Sequence, residues 1–476
     1  SSKSIAAIAR DDEQSAMHRW GTERAHVYRL LDNLFTHTQP IVRDKISNDP
    51  PQYRTNQAET LKAQGKFEEI SDAFGRWVFK DPKRAKRLAD IYNEKFNTWR
   101  LVEPDGSHMV YPGMAPSWVP RKHQNDFIWK AISGKNAMTS HVVGAGKTMQ
   151  LIGTAIRGKQ LGRWQKPIVV VPNHMLYQMA ADAQQIYPSS RILILDKENI
   201  SPAKRAEFVA RCAMGDWDLV VCTHSSYSRI GVPKDFEANM LEEEKWRLES
   251  ALINEQRQSN GGGRSFTERD IQKKIKNLEA KLKRTYDQME KNRDNVLNLE
   301  EMGIDFMGVD EAHYYKNLQI DSAKQIPGVS TSESVRAWDM YMKCRYLQSH
   351  HGAEYGVMMA TGTPISNSVV ECYTFTRMMR PDLLRDSEIN NFNDWMALFG
   401  EIKHNMEIKP EGGGYQVKSR LSRFKNVPEL IKMIRTFIDF KSREDLNLPT
   451  PNVTHETVVA PQSETMKRFM KYIEAR

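Results

Sequence analysis

The sequence predicts an α/β fold in which a parallel β-sheet is flanked by helices. Three observations carry that expectation. First, short apolar runs recur and each stops at polar loop residues: Pro167-Ile-Val-Val-Val-Pro-Asn-His174, Asp218-Leu-Val-Val-Cys-Thr-His224, Phe306-Met-Gly-Val-Asp-Glu-Ala-His313 and Gly356-Val-Met-Met-Ala-Thr-Gly-Thr-Pro364. Continuous β-branched or apolar runs of this length suit strands buried on both faces, as in parallel sheets. Second, helix-like stretches separate the runs, and crossovers between parallel strands need such stretches. Third, Ser140-His-Val-Val-Gly-Ala-Gly-Lys-Thr148 leads straight into the amphipathic run Met149–Ile156. In open α/β sheets ligands bind beyond the carboxyl ends of the strands, so the chemistry is expected in these loops.

The Ser140–Thr148 stretch has the residue types that a polyphosphate requires. Gly144 and Gly146 let backbone amides approach, Ala145 adds little bulk between them, and the following helix aims its amino-terminal amides at the anion. Lys147 is expected on the β- and γ-phosphates, and the Thr148 hydroxyl on magnesium. The full pattern G-x-x-x-x-G-K-[ST] calls for glycine at position 141, where this chain has histidine. In the Phe306 run, an apolar strand delivers two acids. Asp310 is expected to hold magnesium, and Glu311 to orient and polarise the attacking water.

Taken together, Arg121-Lys-His-Gln124, Gly144–Thr148, Val171-Pro-Asn173, Asp310-Glu-Ala-His313 with Lys316-Asn317, and Thr361-Gly-Thr-Pro364 with Asn367 and Glu371 resemble the motif series of superfamily-two helicases. Within them the set is most similar to Swi/Snf-type double-stranded DNA translocases. It is more similar still to bacterial and phage polypeptides that join such a motor to an adenine-specific DNA methyltransferase, antirestriction proteins among them. The resemblance implies a RecA-like first motor lobe that uses ATP and Mg2+, and helicase-type loops tolerate a departure such as His141. It also implies adenine recognition by Gln124 with Arg121 beside the nucleotide, and relay of nucleotide state through His313, Thr361 and Thr363. Its expected partners are double-stranded DNA and a methyltransferase domain, in a cytoplasmic protein of bacterial or phage origin.

At 476 residues the chain exceeds one core, so about three units are expected. A net charge of +9 favours a polyanionic partner. The four cysteines, Cys212, Cys222, Cys344 and Cys372, show no metal-like spacing and are expected to be buried, reduced thiols. No stretch has the length of a membrane span or a signal core.

Residues 1–100 are expected to be a helical linker region, with Asn48-Asp-Pro-Pro-Gln-Tyr53 as a turn rather than a methyltransferase loop. The motor lobe is expected over 101–460. The loops after the second and third strands should touch the DNA backbone through Asn173, His174, Thr223, His224 and Arg229. Two insertions interrupt the lobe. Over 235–300, Ile275, Leu282, Met289 and Val296 recur every seven residues with Ile271 and Leu278 on the companion position. That spacing predicts a coiled-coil seam in a helical hairpin broken at Gly261–Gly263. Over 401–425, Gly412–Gly414 centre a hairpin accessory.

Residues 461–476 are expected to connect to a second lobe that this sequence does not contain, so ATP turnover by the chain alone should be weak. Two other readings use the same residues. One is a nucleotide-switched module in which the coiled coil docks a protein, and the other is an RNA helicase. An intact Glu311 disfavours the switch, and the Lys316-Asn317, Asn367 and Glu371 positions lean towards the duplex-DNA branch.

Overall fold

The computed structural model describes residues 19–35, 40–48, 51–96, 101, 103–199, 201, 204–258, 266–290, 297–318, 334–365, 370–408, 415–448, 454, 456–458, 461 and 463–474. The chain divides into two compact units, Ser1–Thr98 and Trp99–Arg476. In the first unit, helices Val27–Phe35, Gln57–Lys80 and Pro82–Phe96 accompany an antiparallel pair, Arg43–Asn48 with Pro51–Thr55. The purely helical expectation for this region is therefore incomplete, because the stretch read as a turn continues into a strand on each side. Asp49 and Pro50 of that turn, Asn367 and Gly412–Gly414 lie outside the described residues, as do Val296 and Gly261–Gly263 of the hairpin insertion.

The second unit is built on a seven-stranded sheet. In chain order the strands of the sheet and its main helices are α1 (Lys122–Ser133), β1 (Ala137–His141), α2 (Lys147–Gln160), β2 (Pro167–Val171), α3 (Leu176–Ile186), β3 (Ile192–Leu195) and β4 (Leu219–Thr223). Then come α4 (Lys234–Gln258), α5 (Phe266–Glu290), β5 (Phe306–Val309), α6 (Val335–His351), β6 (Val357–Ala360), α7 (Val370–Met379) and β7 (Ile438–Lys441). The spatial order is β7-β1-β6-β5-β2-β4-β3, and every pairing is parallel. The architecture is thus RecA-like α/β, a parallel sheet with helices on both faces.

Alternation along the strands shows why these runs carry no polar stripe. Val169, Val171, Leu219, Val221, Phe306, Met358 and Ala360 enter the core beneath α1, α2 and α3. Ile168, Val170, Val220, Cys222, Met307, Val309, Val357 and Met359 enter the opposite core with α6 and α7. With both faces covered, a strand must be apolar at every position. All four cysteines are free and buried.

The insertion between β4 and β5 is an antiparallel helical hairpin. Ile271, Leu278 and Thr285 of α5 are buried, with Ile275 and Leu282 packed against the same core as Leu248 and Leu252 of α4. The seam therefore follows the heptad spacing as far as Leu282 and continues through Thr285. The second insertion is an antiparallel strand pair, Gly400–Ile408 with Tyr415–Phe424.

One contact ties the helix after the glycine-rich loop to the acidic strand. The Trp164 ring stacks on Phe306 at a centroid separation of 3.9 Å and donates from Nε1 to the Ala155 carbonyl of α2 at 2.7 Å. It lies so close to α2 that a Cβ on Gly158 would overlap its six-membered ring. Trp164→Ala should cost about 3–5 kcal/mol by urea unfolding, and Trp164→Phe clearly less. An alanine variant within about 1 kcal/mol of the parent would show that this stack does not join the two elements.

Candidate nucleotide site

The glycine-rich loop turns from β1 into α2 because two of its residues take a backbone conformation that favours glycine. Gly144 has φ 87° and Gly146 has φ 81°, the latter at the helix amino cap. Open space surrounds Gly144, whereas a Cβ on Gly146 would collide with the Gln124 side-chain amide. The loop is braced from α1: His123 Nε2 lies 2.9 Å from the Ala145 carbonyl, and Gln124 Nε2 donates to the same carbonyl at 3.2 Å and to that of Gly146 at 3.4 Å. Gln124 Oε1 accepts from the Arg121 amide at 2.7 Å. Both ends of the Gln124 amide are thus engaged within the protein, with Arg121 exposed at the start of α1. Recognition of adenine by Gln124 would require it to exchange these bonds.

Position 141 explains itself. His141 is fully buried, its Nε2 2.8 Å from Asp439 of β7 and its Nδ1 3.0 Å from Gln150 Nε2 of α2. Gln150 in turn accepts from Thr139 at 2.9 Å. Burial pushes the Asp439 carboxyl up, but the His141 hydrogen bond and the charges of His141, Lys130 and Lys441 hold it below its ordinary range. The side chain that replaces glycine therefore belongs to the core, while its carbonyl faces the loop.

Lys147 donates to that carbonyl at 3.0 Å and to Val142's at 3.4 Å. Burial lowers its pKa, opposed by the charges of Glu311 and Asp310. The three groups share one electrostatic site although the acids stand on β5 and the lysine follows β1. β6 lies between those strands and is followed by the turn Thr361-Gly362-Thr363. A Cβ on Gly362 would lie 3.8 Å from Lys147 Nζ. Burial, then the Glu311 charge, raises Asp310 to about 6, against the Glu311 amide, Lys147 and His313.

Glu311 has φ 49°, a left-handed conformation that costs a side-chain-bearing residue about 1–2 kcal/mol, and it turns β5 into a short 3-10 helix. There His313 Nδ1 stands 3.1 Å from Glu311 Oε2 and 3.2 Å from Thr361 Oγ1. Thr361 Oγ1 also accepts from the Thr363 amide at 3.2 Å. One chain of contacts therefore runs from the acidic loop to the Thr-Gly-Thr turn. Thr148 is half-buried on the first turn of α2.

The loop residues expected to touch DNA separate into two groups. Asn173, His174 and Arg229 are exposed, with Asn173 Oδ1 accepting from Ser225 at 2.8 Å across the β2 and β4 loops. Thr223 and His224 are buried. Thr223 accepts from the Ser226 amide as a helix cap, and His224 Nδ1 pairs with Tyr315 Oη at 2.7 Å. Their expected role as DNA contacts is corrected on burial: the His224 ring packs under the acidic loop against Tyr314 and Tyr315, and the Thr223 hydroxyl is taken up by Ser225 and Ser226. Sequence reading also missed His123, Gln150, Tyr315 and Asp439, whose roles depend on partners remote in the chain.

His224 gives the site a pH signature. Burial, then the Arg336 charge, lowers it to about 4 from the ordinary 6.5, opposed by the Asp310 backbone. The unfolded chain takes up this proton more readily, so stability present above pH 6.5 is lost as pH falls towards 4. The loss should reach about 3 kcal/mol. Unfolding free energies between about pH 7.5 and 4 should show that component in the parent and not in His224→Gln. A difference between the two proteins that stays flat across the window would contradict this.

Two family models match the sequence: a probable helicase domain over residues 129–442 and a domain of unknown function over 4–98. No curated protein matches it. Among solved structures, the chain is similar to the Sulfolobus solfataricus SWI2/SNF2 ATPase core in complex with dsDNA. There the TM-score is 0.37 at 14% identity, over 74% of this chain and 48% of that one. For the Sulfolobus solfataricus SWI2/SNF2 ATPase core domain the TM-score is 0.36 at 13% identity, over 73% and 50%. The chain thus spans about half the length of these structures. The helicase model covers most of the sequence, and the chain belongs to the probable helicase domain family.

Proposed function

We propose that this chain is the nucleotide-binding lobe of an ATP-dependent translocase or helicase acting on double-stranded DNA. The observation that carries the reading is the meeting of Lys147, Asp310 and Glu311 in one electrostatic site at the carboxyl ends of β1 and β5, with the β6 turn between them. When bound, Mg–ATP would supply the transferable phosphoryl group and the cation that offsets its charge. The amides of Gly144, Ala145 and Gly146 and the Lys147 ammonium would hold the phosphates. The Thr148 hydroxyl and the Asp310 carboxylate would hold magnesium. Glu311 would orient water and accept its proton, and His313, held to both Glu311 and Thr361, would pass the state of the acidic loop to the β6 turn. Asn173, His174 and Arg229 would contact DNA phosphates without reading sequence. Placement in a cytoplasmic bacterial or phage polypeptide with an adenine-specific methyltransferase rests on the motif resemblance. Among the described residues no helix is long and apolar enough to cross a membrane.

ATP hydrolysis by the full-length polypeptide should rise on adding duplex DNA and far less on adding RNA. Glu311→Gln should lower the stimulated rate by about 10²–10⁴-fold with folding unchanged. Stimulation by RNA alone would favour the RNA helicase reading, and turnover insensitive to Glu311→Gln would remove the assigned chemistry.

A further inference from the structure

We propose that the outward face of α5 is a second contact surface for the backbone of double-stranded DNA, carried by Lys273, Lys276, Lys283 and Arg284. The inference rests on the duplex-DNA reading above and adds to it a part of the molecule that the nucleotide site does not use.

The first support is where these cations stand. At about 100° per residue, all four lie in one arc of α5 opposite the seam of Ile271, Ile275, Leu278 and Leu282. All four are exposed, and none has an ion-pair partner among the described residues. Nearby charges that do pair lie elsewhere on the hairpin: Lys245 meets Glu279 at 2.9 Å, and Arg247 meets Glu243 at 2.6 Å. Asp287, also exposed, is the acid at the far end of the basic face.

The second support is the contrast with α4. Its exposed charged residues include Asp235, Glu242 and Glu243, so the two helices of one hairpin present opposite signs to solvent. A polyanion would be drawn to α5 and turned away from α4. From Lys273 to Arg284 the helix rises about 16 Å. Duplex DNA presents one phosphate charge per about 1.7 Å of its axis, so four cations over that length can each find a phosphate.

The third support is the root of the hairpin, whose two ends are bonded to each other. The Gly231 amide donates to the Leu297 carbonyl at 2.7 Å, and the Leu299 amide to the Gly231 carbonyl at 3.1 Å, closing the two ends of the insertion together. Higher on α4, buried Glu244 pairs with buried Arg377 of α7 at 2.9 Å. At the other end of α7, Glu371 pairs at 3.1 Å with Lys316, which follows the acidic loop. A load on the hairpin therefore reaches α7, and through it the segment after Glu311. The insertion also leaves the sheet just past exposed Arg229, placing it next in the chain to the first proposed backbone contact.

The test is fluorescence anisotropy of a labelled duplex of arbitrary sequence, titrated with the full-length polypeptide over a salt series without nucleotide. A combined Lys273→Ala, Lys276→Ala, Lys283→Ala and Arg284→Ala variant is compared with one in which the three lysines become arginine. The alanine variant should bind at least about 10-fold more weakly at low salt. The slope of log affinity against log salt should flatten by about 3–4, and the arginine variant should match the parent. If the parent binds duplex and the alanine variant matches it in affinity and slope, this inference fails and the duplex-DNA reading stands. If the parent binds no duplex at any salt, the duplex-DNA reading fails and this inference with it.

Discussion

The structure depends on parallel pairing of β1, β6 and β5. Parallel strands end on the same edge, so pairing three of them places three loops side by side. One loop brings Lys147, the next Thr361 and Thr363, and the third Asp310 and Glu311. The charges of the two acids thereby reach Lys147, far away in sequence, and its charge reaches Asp310. Apolar burial on both faces holds the strands in place, so the polar groups at their ends need little support of their own.

That economy is incomplete at the sheet's edge. β7 pairs with β1 through backbone bonds, and Asp439, His141, Gln150 and Thr139 form a buried polar chain across it. Such a network specifies a unique arrangement only when every member is satisfied. Here it fixes His141, whose carbonyl takes the Lys147 ammonium. The residue that departs from the phosphate-loop pattern thus ties that loop to the last strand. A similar logic governs α7, where ion pairs at both ends link the segment after the acidic loop to the helical hairpin.

The sequence made the central strands legible because double-sided burial forbids polar positions, and Ile168–Val171 or Val357–Ala360 contain none. It concealed β1, whose Thr139, Ser140 and His141 look like a loop until Gln150 and Asp439 satisfy two of them. β7, reading Ile-Asp-Phe-Lys, is an edge strand with too little apolar character to stand out. The glycine-rich loop and the acidic pair stand out in the sequence because the chemistry proposed for them requires particular residues at short spacing. His224 misled because a histidine after a strand resembles a loop ligand, and only the fold brings Tyr315 to it. In sequence Gln124 reads as a contact to a base, while in the fold its amide braces the loop where the phosphates are expected. The coiled-coil seam was visible from its period, but the sign of each helix's outer face emerged only once the seam fixed which residues point out.

The central claim is that residues from separate strands form one site for magnesium and nucleotide. It is tested most directly by calorimetric titration of this chain with a non-hydrolysable ATP analogue, with and without Mg2+. Binding should depend on Mg2+ and be lost in both Lys147→Ala and Asp310→Ala while the unfolding transition stays cooperative. Binding that survives either substitution unchanged, or that ignores magnesium, would contradict it.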